Sequence, residues 1–106
     1  MEENYKDQRA RGIIQRLASE FIKNESNRKS LITVTDVRTN DDFSNVNIYL
    51  TIFPENKEVA AIDFLKRQRS NFREFVKKNS RLARIPRFDF EIDLGEKSRQ
   101  RIEEIL

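Results

Sequence analysis

The sequence contains no cysteine and no histidine, and only 2 glycines and 2 prolines in 106 residues. Without cysteine there is no disulfide framework. Without histidine or cysteine, the chain lacks an imidazole base, a thiolate nucleophile and the nitrogen and sulfur ligands of most zinc sites. Two glycines cannot build a glycine-rich phosphate loop. These absences predict a protein that is not an enzyme, with no cofactor, no metal and no small-molecule substrate.

Long hydrophobic runs are also missing, since no stretch approaches the roughly 18 apolar residues of a membrane span. The first twelve residues are polar and include the acids Glu2, Glu3 and Asp7, unlike a signal or transit peptide. We therefore expect a cytoplasmic protein with no membrane partner. The length predicts one domain over 1–106, and a monomer is the default because no second apolar face is evident.

Charge is the most informative feature that is present. The net charge is +3, but residues 65–87 hold nine cations against one acid, Glu74, so this stretch is +8 and the rest of the chain is −5. Such an excess in a segment that also carries a helical apolar pattern predicts a polyanionic partner, with nucleic acid first. The carboxylate pairs Asp41–Asp42 and Glu103–Glu104 are interpreted as solvated charge in a turn and near the C-terminus.

The apolar spacing predicts the elements of an α+β fold. A helix is expected from about Asn4 to Lys23, followed by a loop over 24–30. LITVTDV is a strand whose apolar parity shifts near Asp36, which indicates a β-bulge. The alternation of apolar and polar residues over 45–52 predicts a second strand, paired with the first as a hairpin.

The second half of the chain predicts further helices and one more strand. A helix from about Glu55 to Arg67 precedes a second apolar helical face formed by Phe72, Phe75 and Val76. Alternation from Phe88 to Leu94 predicts a third strand, and a short helix should close the chain near its end. Helices on one side of a three-stranded sheet give a two-layer domain, and the thirty-residue connection between strands 2 and 3 makes a mixed sheet the natural arrangement.

The stretch LKRQRSNFREF, residues 65–75, raises the question of a helix break. Asn71 with Glu74 three residues later has the pattern of a capping box, which predicts a new helix there. A helix start among cations would offer backbone donors and positive charge to a phosphate. The alternative is one continuous solvated helix. Phe72 and Phe75 are interpreted as core residues, not as stacking platforms.

The order α-β-β-α-α-β, with the break between two consecutive helices, resembles the type-II KH topology. KH domains bind nucleic acid at that junction, usually through a GxxG loop, which this chain lacks. The VTDV strand, the RLARIPRFDF run over 81–90 and the ending RIEEIL resemble the ribosome-binding factor A family. Where that family has an Ala-x-Gly kink, this chain has Gln68, Arg69 and Ser70.

The resemblance implies a type-II KH-like domain with a short C-terminal helix, assisting late maturation of the bacterial small ribosomal subunit. Its expected partners are that subunit and its ribosomal RNA. The alternatives are a general KH-like nucleic-acid binder and a basic protein-interaction adaptor without a ribosomal role. The predicted RNA-binding residues form the basic strip: Lys66, Arg67, Gln68, Arg69, Ser70, Asn71, Arg73, Lys77, Lys78, Arg81, Arg84 and Arg87.

Overall fold

The computed structural model describes residues 5–25 and 29–105, with side chains from Asp7 onward in the first helix. The elements, in chain order, are α1 (Tyr5–Glu25), β1 (Leu31–Thr39), β2 (Asn45–Phe53), a 3₁₀ turn (Glu55–Lys57), α2 (Glu58–Arg67), α3 (Arg69–Asn79), β3 (Arg87–Ile92) and α4 (Leu94–Ile105). This order confirms the predicted α-β-β-α-α-β arrangement with a C-terminal helix. The predicted start of α1 at Asn4 lies outside the described residues, as does 26–28 of the predicted loop.

The three strands form one mixed sheet in the order β1-β2-β3. β1 and β2 pair antiparallel, as a hairpin requires, whereas β2 and β3 pair parallel. The register shifts between Val34 and Asp36, which confirms the predicted bulge. The parallel pair exists because the connection through α2 and α3 carries the chain back across the sheet before β3 begins.

The core lies between one face of the sheet and helices α1, α2 and α3. β2 contributes every second residue to it, in keeping with the period of a strand. Phe72 of α3 is fully buried, and its ring centroid lies 4.7 Å from that of Phe88 and 5.7 Å from that of Phe90. Phe75 is partly buried and packs against Phe21 at 5.5 Å. The prediction that Phe72 and Phe75 belong to the core is confirmed.

The β1–β2 turn is fixed by its own side chains. Phe43 has φ 60°, a left-handed conformation that is costly for a residue with a Cβ, and its ring packs against the core. The Asp42 carboxylate accepts hydrogen bonds from the backbone N–H and the hydroxyl of Ser44, at 3.1 and 2.6 Å. Asn40 donates to the Ser44 hydroxyl and accepts from the N–H of Asn45. These bonds hold the turn in one shape.

The C-terminal region differs from the prediction. β3 ends at Ile92, and α4 runs for 12 residues from Leu94, so Leu94 is exposed in a helix and not buried in a strand. Asp93 ends the strand because its carboxylate accepts from the N–H of Glu96 at 3.0 Å, as an N-cap does. Its other oxygen accepts from the Thr35 hydroxyl at 2.6 Å. The signal for this start, Asp93 followed three residues later by Glu96, was present in the sequence and was missed.

α4 is attached to the rest of the fold mainly by charge. Lys97 lies 2.9 Å from a Glu55 oxygen and 3.0 Å from a Glu58 oxygen, and Arg101 pairs with Glu55. These contacts raise the pKa of Lys97 and lower that of Glu55. The helix therefore lies beside the 3₁₀ turn and the start of α2.

Candidate nucleic-acid interface

The basic strip extends over four consecutive parts of the chain. It runs from the last turn of α2, along α3, through the connection 80–86 and into the first residue of β3. α3 buries Phe72 and Val76 against the core. Arg69, Arg73 and Lys77 follow one another at intervals of four residues, so they lie on one stripe of the helix surface, and all three are exposed.

The helix break is present, but it lies at Gln68 and not at Asn71. Gln68 has φ −91° and ψ 5°, outside the helical region, and α3 begins at Arg69. The Gln68 N–H still donates to the carbonyls of Phe64 and Leu65, at 3.1 and 3.0 Å. The change of direction thus involves a single residue and no left-handed backbone. The break at Gln68 agrees with the resemblance to the family, which placed the kink at Gln68, Arg69 and Ser70.

The predicted cap at Asn71 is wrong. Asn71 is the third residue of α3, and its side-chain amide donates to the Gln68 side-chain oxygen at 2.8 Å. An N-cap side chain must instead accept from a backbone N–H of the first turn. Gln68 stands at the N-cap position but makes no side-chain cap bond. The first backbone bond of α3 runs from the Phe72 N–H to the Gln68 carbonyl at 2.8 Å.

A carboxylate that the sequence analysis did not single out lies against the junction. One oxygen of Asp89 is 2.8 Å from the Lys66 ammonium and 3.4 Å from the Arg69 guanidinium. Arg69 also donates through Nε to the Lys66 carbonyl at 2.9 Å. The charges of Lys66 and Arg69 are therefore partly neutralised by the Asp89 carboxylate of β3. No local pattern could have indicated this, because Asp89 is 23 residues from Lys66 in the sequence.

The charge of Asp89 is stabilised by these neighbours. Partial burial raises the pKa of the Asp89 carboxyl, but the hydrogen bond from Lys66, the Phe90 N–H and the nearby Arg69 charge outweigh that effect. The net result is a pKa below the ordinary value for aspartate. Asp89 is therefore ionised at neutral pH and competes with any other anion for Lys66 and Arg69.

Three arginines of the strip meet beside the middle of α3, one helical turn beyond Arg69. Arg73, Arg84 and Arg87 line a cleft of about 440 Å³ together with Ser44, Asn45 and Ile85. Arg73 donates to the Ile85 carbonyl at 3.1 Å, and the backbone N–H of Arg87 donates to the Ser44 carbonyl at 2.9 Å. We call this the arginine cleft. Ser44 of the β1–β2 turn and Asn45, the first residue of β2, were not predicted to lie at a functional site.

The remaining strip residues do not form one cluster. Lys77, Lys78 and Arg81 are exposed, and none of these side chains makes an ion pair with a described residue. Arg67 instead lines a largely apolar cavity of about 330 Å³ near Ile32 and Phe64. Ser70 is exposed within α3. The basic strip is thus divided into the Asp89-bound junction, the arginine cleft and isolated surface cations.

Over residues 5–25 and 29–105, no three carboxylate, histidine or cysteine side chains converge in a way that could hold a metal ion. Among the helices in these same two ranges, none combines the length and apolar character needed to cross a membrane. The basic strip offers clustered guanidinium and ammonium donors, which suit phosphate groups.

The mixed three-stranded sheet, the helices on one face and the single-residue break between α2 and α3 define a type-II KH-like domain. A family model described as ribosome-binding factor A matches residues 6–106. The chain belongs to the ribosome-binding factor A family.

Individual relatives agree with this assignment. The chain is 28% identical over 75 residues to a ribosome-binding factor A of Magnetococcus marinus, a match that covers 71% of this chain and 61% of the relative's length. It superposes on the crystal structure of ribosome-binding factor A from Thermus thermophilus with a TM-score of 0.72 and 26% identity, covering 80% of this chain and 92% of the other.

A third comparison concerns a complex. A homology model of the Thermus thermophilus factor, fitted into a cryo-electron microscopy map of a 30S complex, matches this chain with a TM-score of 0.68 and 26% identity. The match covers 77% of this chain and 89% of the other. The match thus links this fold to a protein placed on a small ribosomal subunit.

Proposed function

We propose that this protein is a non-catalytic, cytoplasmic assembly factor that binds ribosomal RNA of the small ribosomal subunit and assists its late maturation. The observation that carries this proposal is the exposed basic strip along α2, α3 and the start of β3, in a chain of the ribosome-binding factor A family. The fitted Thermus thermophilus complex supports the choice of the small subunit as partner.

The strip suits contact with phosphates more than reading of bases. Its cations are exposed, whereas Phe72 is fully buried and Phe75 is partly buried against Phe21. Bases therefore have no aromatic stacking surface on α3 of the kind that many single-strand binders use. Phosphate contacts position a protein on folded RNA and supply much of its affinity, while carrying little sequence information. Recognition by the shape of an RNA site is the mode that fits.

The decisive experiment is sedimentation of the protein through a sucrose gradient of cell extract. Co-migration with free small subunits supports the proposal, and migration at the top of the gradient contradicts it. A parallel arm with ribonuclease separates the alternatives, because a basic adaptor bound to an acidic protein would keep its partner after RNA is digested. A general nucleic-acid binder would bind purified small subunits and unrelated RNA of similar size equally well.

A charge-matched pair of variants tests whether the strip is the binding surface. Reversing Lys77 and Lys78 to glutamate should abolish co-migration, because both cations are exposed on α3. Reversing Lys23 and Arg99 changes the net charge by the same amount at exposed positions on α1 and α4 and should leave co-migration intact. Equal loss in both variants would point to net charge alone.

A further inference from the structure

We propose that the arginine cleft is the main phosphate-binding site of this domain, and that it holds a backbone phosphodiester of a folded RNA strand. The inference rests on the proposed function for the identity of the RNA, but the site itself follows from geometry. It places the principal contact between the middle of α3 and the β1–β2 turn, one helical turn away from the helix junction, where binding is expected for a KH-like domain.

The cleft brings together three guanidiniums from separate parts of the chain. Arg73 comes from α3, Arg84 from the connection 80–86 and Arg87 from the first position of β3, and no carboxylate lines the cleft. All three side chains are exposed. Among the described residues, the Arg84 and Arg87 guanidiniums make no hydrogen bond and no ion pair within 4 Å, so their planar donor groups are available to a phosphate.

The walls of the cleft are held in place without a ligand. The bond from Arg73 to the Ile85 carbonyl orients one guanidinium, and the bond from the Arg87 N–H to the Ser44 carbonyl joins β3 to the turn. The turn is itself held by the Asp42 carboxylate, which accepts both Ser44 donors. A site arranged in advance loses less conformational freedom when the ligand binds.

Charge balance favours the arginine cleft over the junction. At the junction a phosphate must displace Asp89, which already lies 2.8 Å from the Lys66 ammonium. No carboxylate lines the cleft. The pKa of the Asp42 carboxyl is lowered chiefly by its hydrogen bonds from Ser44 and only to a smaller degree by the charge of Arg84. The Asp42 carboxylate is already held by uncharged donors, and no ion pair within 4 Å joins it to any of the three described arginines of the cleft.

The ligand is better described as a backbone phosphodiester than as a free phosphate ion. The cleft is open to solvent, and Lys77 lies one helical turn beyond Arg73 on the same stripe of α3. A strand whose phosphate enters the cleft can therefore continue along α3 and place a neighbouring phosphate near Lys77. An isolated ion would gain nothing from that second cation.

The test measures binding of a fluorescent RNA hairpin and of purified small subunits at several KCl concentrations. Arg84→Ala and Arg87→Ala should each weaken binding by about tenfold and should each lower the slope of log affinity against log salt by about one unit. Arg84→Lys keeps the charge but loses the fork of donors, so only part of the affinity should return. Lys23→Ala, which removes one exposed cation from α1 that makes no ion pair with a described residue, is the matched control. Thermal unfolding of every variant checks that the fold is intact.

A second measurement distinguishes an RNA phosphodiester from a free phosphate ion as the ligand of the cleft. Side-chain Nε–H signals of Arg73, Arg84 and Arg87 should shift in NMR spectra when the RNA hairpin is added at constant ionic strength. Inorganic phosphate at the same ionic strength should shift them only at millimolar concentration. If inorganic phosphate saturates the site at the micromolar level, the site is one for a free ion and the phosphodiester assignment is wrong.

The outcomes also separate this inference from the proposed function. If the folded Arg84→Ala and Arg87→Ala variants bind RNA and small subunits as the wild-type protein does, the arginine cleft is not the site, although the proposed function stands. If the wild-type protein binds neither RNA nor small subunits, both proposals are wrong. If RNA shifts the three arginine signals but small subunits do not bind, the cleft is supported and the ribosomal role is not.

Discussion

Asp89 on β3 accepts a hydrogen bond of 2.8 Å from Lys66 at the end of α2. The same oxygen lies 3.4 Å from Arg69, the first residue of α3, so one carboxylate spans the helix break. Asp89 therefore fixes the relative position of the two helix ends and also lowers the positive potential there. These two effects can be separated by substitution.

Asp89→Asn should raise RNA affinity by about threefold to tenfold, because Lys66 and Arg69 become available to phosphate. The cost in stability should stay below about 1 kcal/mol, since both partners in the pair are more than a third exposed. Asp63→Asn is the control, since it changes the net charge equally at an exposed position in α2 outside the basic strip. An equal gain in both variants, measured by RNA titration, would show that Asp89 has no specific effect.

Alanine substitutions at Asp93 and at Asn71 should distinguish a residue that caps a helix from one that only has the sequence pattern of a cap. Asp93→Ala should lower the free energy of unfolding by about 0.5–2 kcal/mol, because the Asp93 carboxylate accepts the Glu96 N–H. Asn71→Ala should change it by less than about 0.5 kcal/mol, because Asn71 lies inside α3, where alanine is the better helix former. Urea unfolding measures both values. A loss above about 1 kcal/mol for Asn71→Ala would restore the capping interpretation.

Acid should destabilise the protein partly through Asp93. The hydrogen bond from Thr35 and the Glu96 N–H lower the pKa of the Asp93 carboxyl in the folded state. A carboxyl with a lowered folded pKa adds stability above its unfolded pKa of about 3.9, and that stability is lost as the pH falls through the folded pKa. Asp93→Asn should therefore flatten the pH dependence of unfolding below about pH 4. Asp63→Asn, at an exposed position in α2, serves as the comparison; an unchanged slope in Asp93→Asn would contradict the assignment.

Phe90→Ala should destabilise the domain by about 3–5 kcal/mol. The Phe90 side chain is fully buried, and its ring lies 5.7 Å from that of Phe72. Val59→Ala, at a position that is 76% exposed, should cost far less and is the control. Thermal unfolding compares the two variants. A shift of only a few degrees for Phe90→Ala would mean that the inward side of β3 has been misassigned.

RNA binding should weaken steeply with salt if several cations of the basic strip contact phosphates. Lys77→Ala or Lys78→Ala should lower the log–log slope by about one unit for each lost contact, with little change in stability because both side chains are exposed. Titration of an RNA hairpin between 50 and 300 mM KCl, a range of about sixfold in salt, gives the slope. A slope near zero in the wild-type protein would exclude the basic strip as the binding surface.

Local patterns in the sequence were sufficient for the order of the elements, the bulge near Asp36 and the inward side of β3. These features depend on the spacing of apolar side chains within a few residues, which an individual strand or helix imposes on its own sequence. The nine-cation excess over 65–87 was likewise visible at once. The break between α2 and α3 was also predicted. The family resemblance placed it at Gln68 to Ser70, in agreement with the structure, whereas the capping pattern wrongly placed the start of the new helix at Asn71.

Tertiary structure decided how the charges are used. Asp89 reaches Lys66 across 23 residues, and the turn at Ser44 and Asn45 meets Arg84 and Arg87 only because β2 and β3 pair in parallel register. The pattern of acids and bases along the chain is the same whether these groups meet or stay apart. The sequence alone therefore determined that this surface is strongly basic. The packing of β3 against β2 and α3 decided which of its cations are neutralised and which remain open to a phosphate, because ion pairing depends on distances of a few ångströms between residues far apart in the chain.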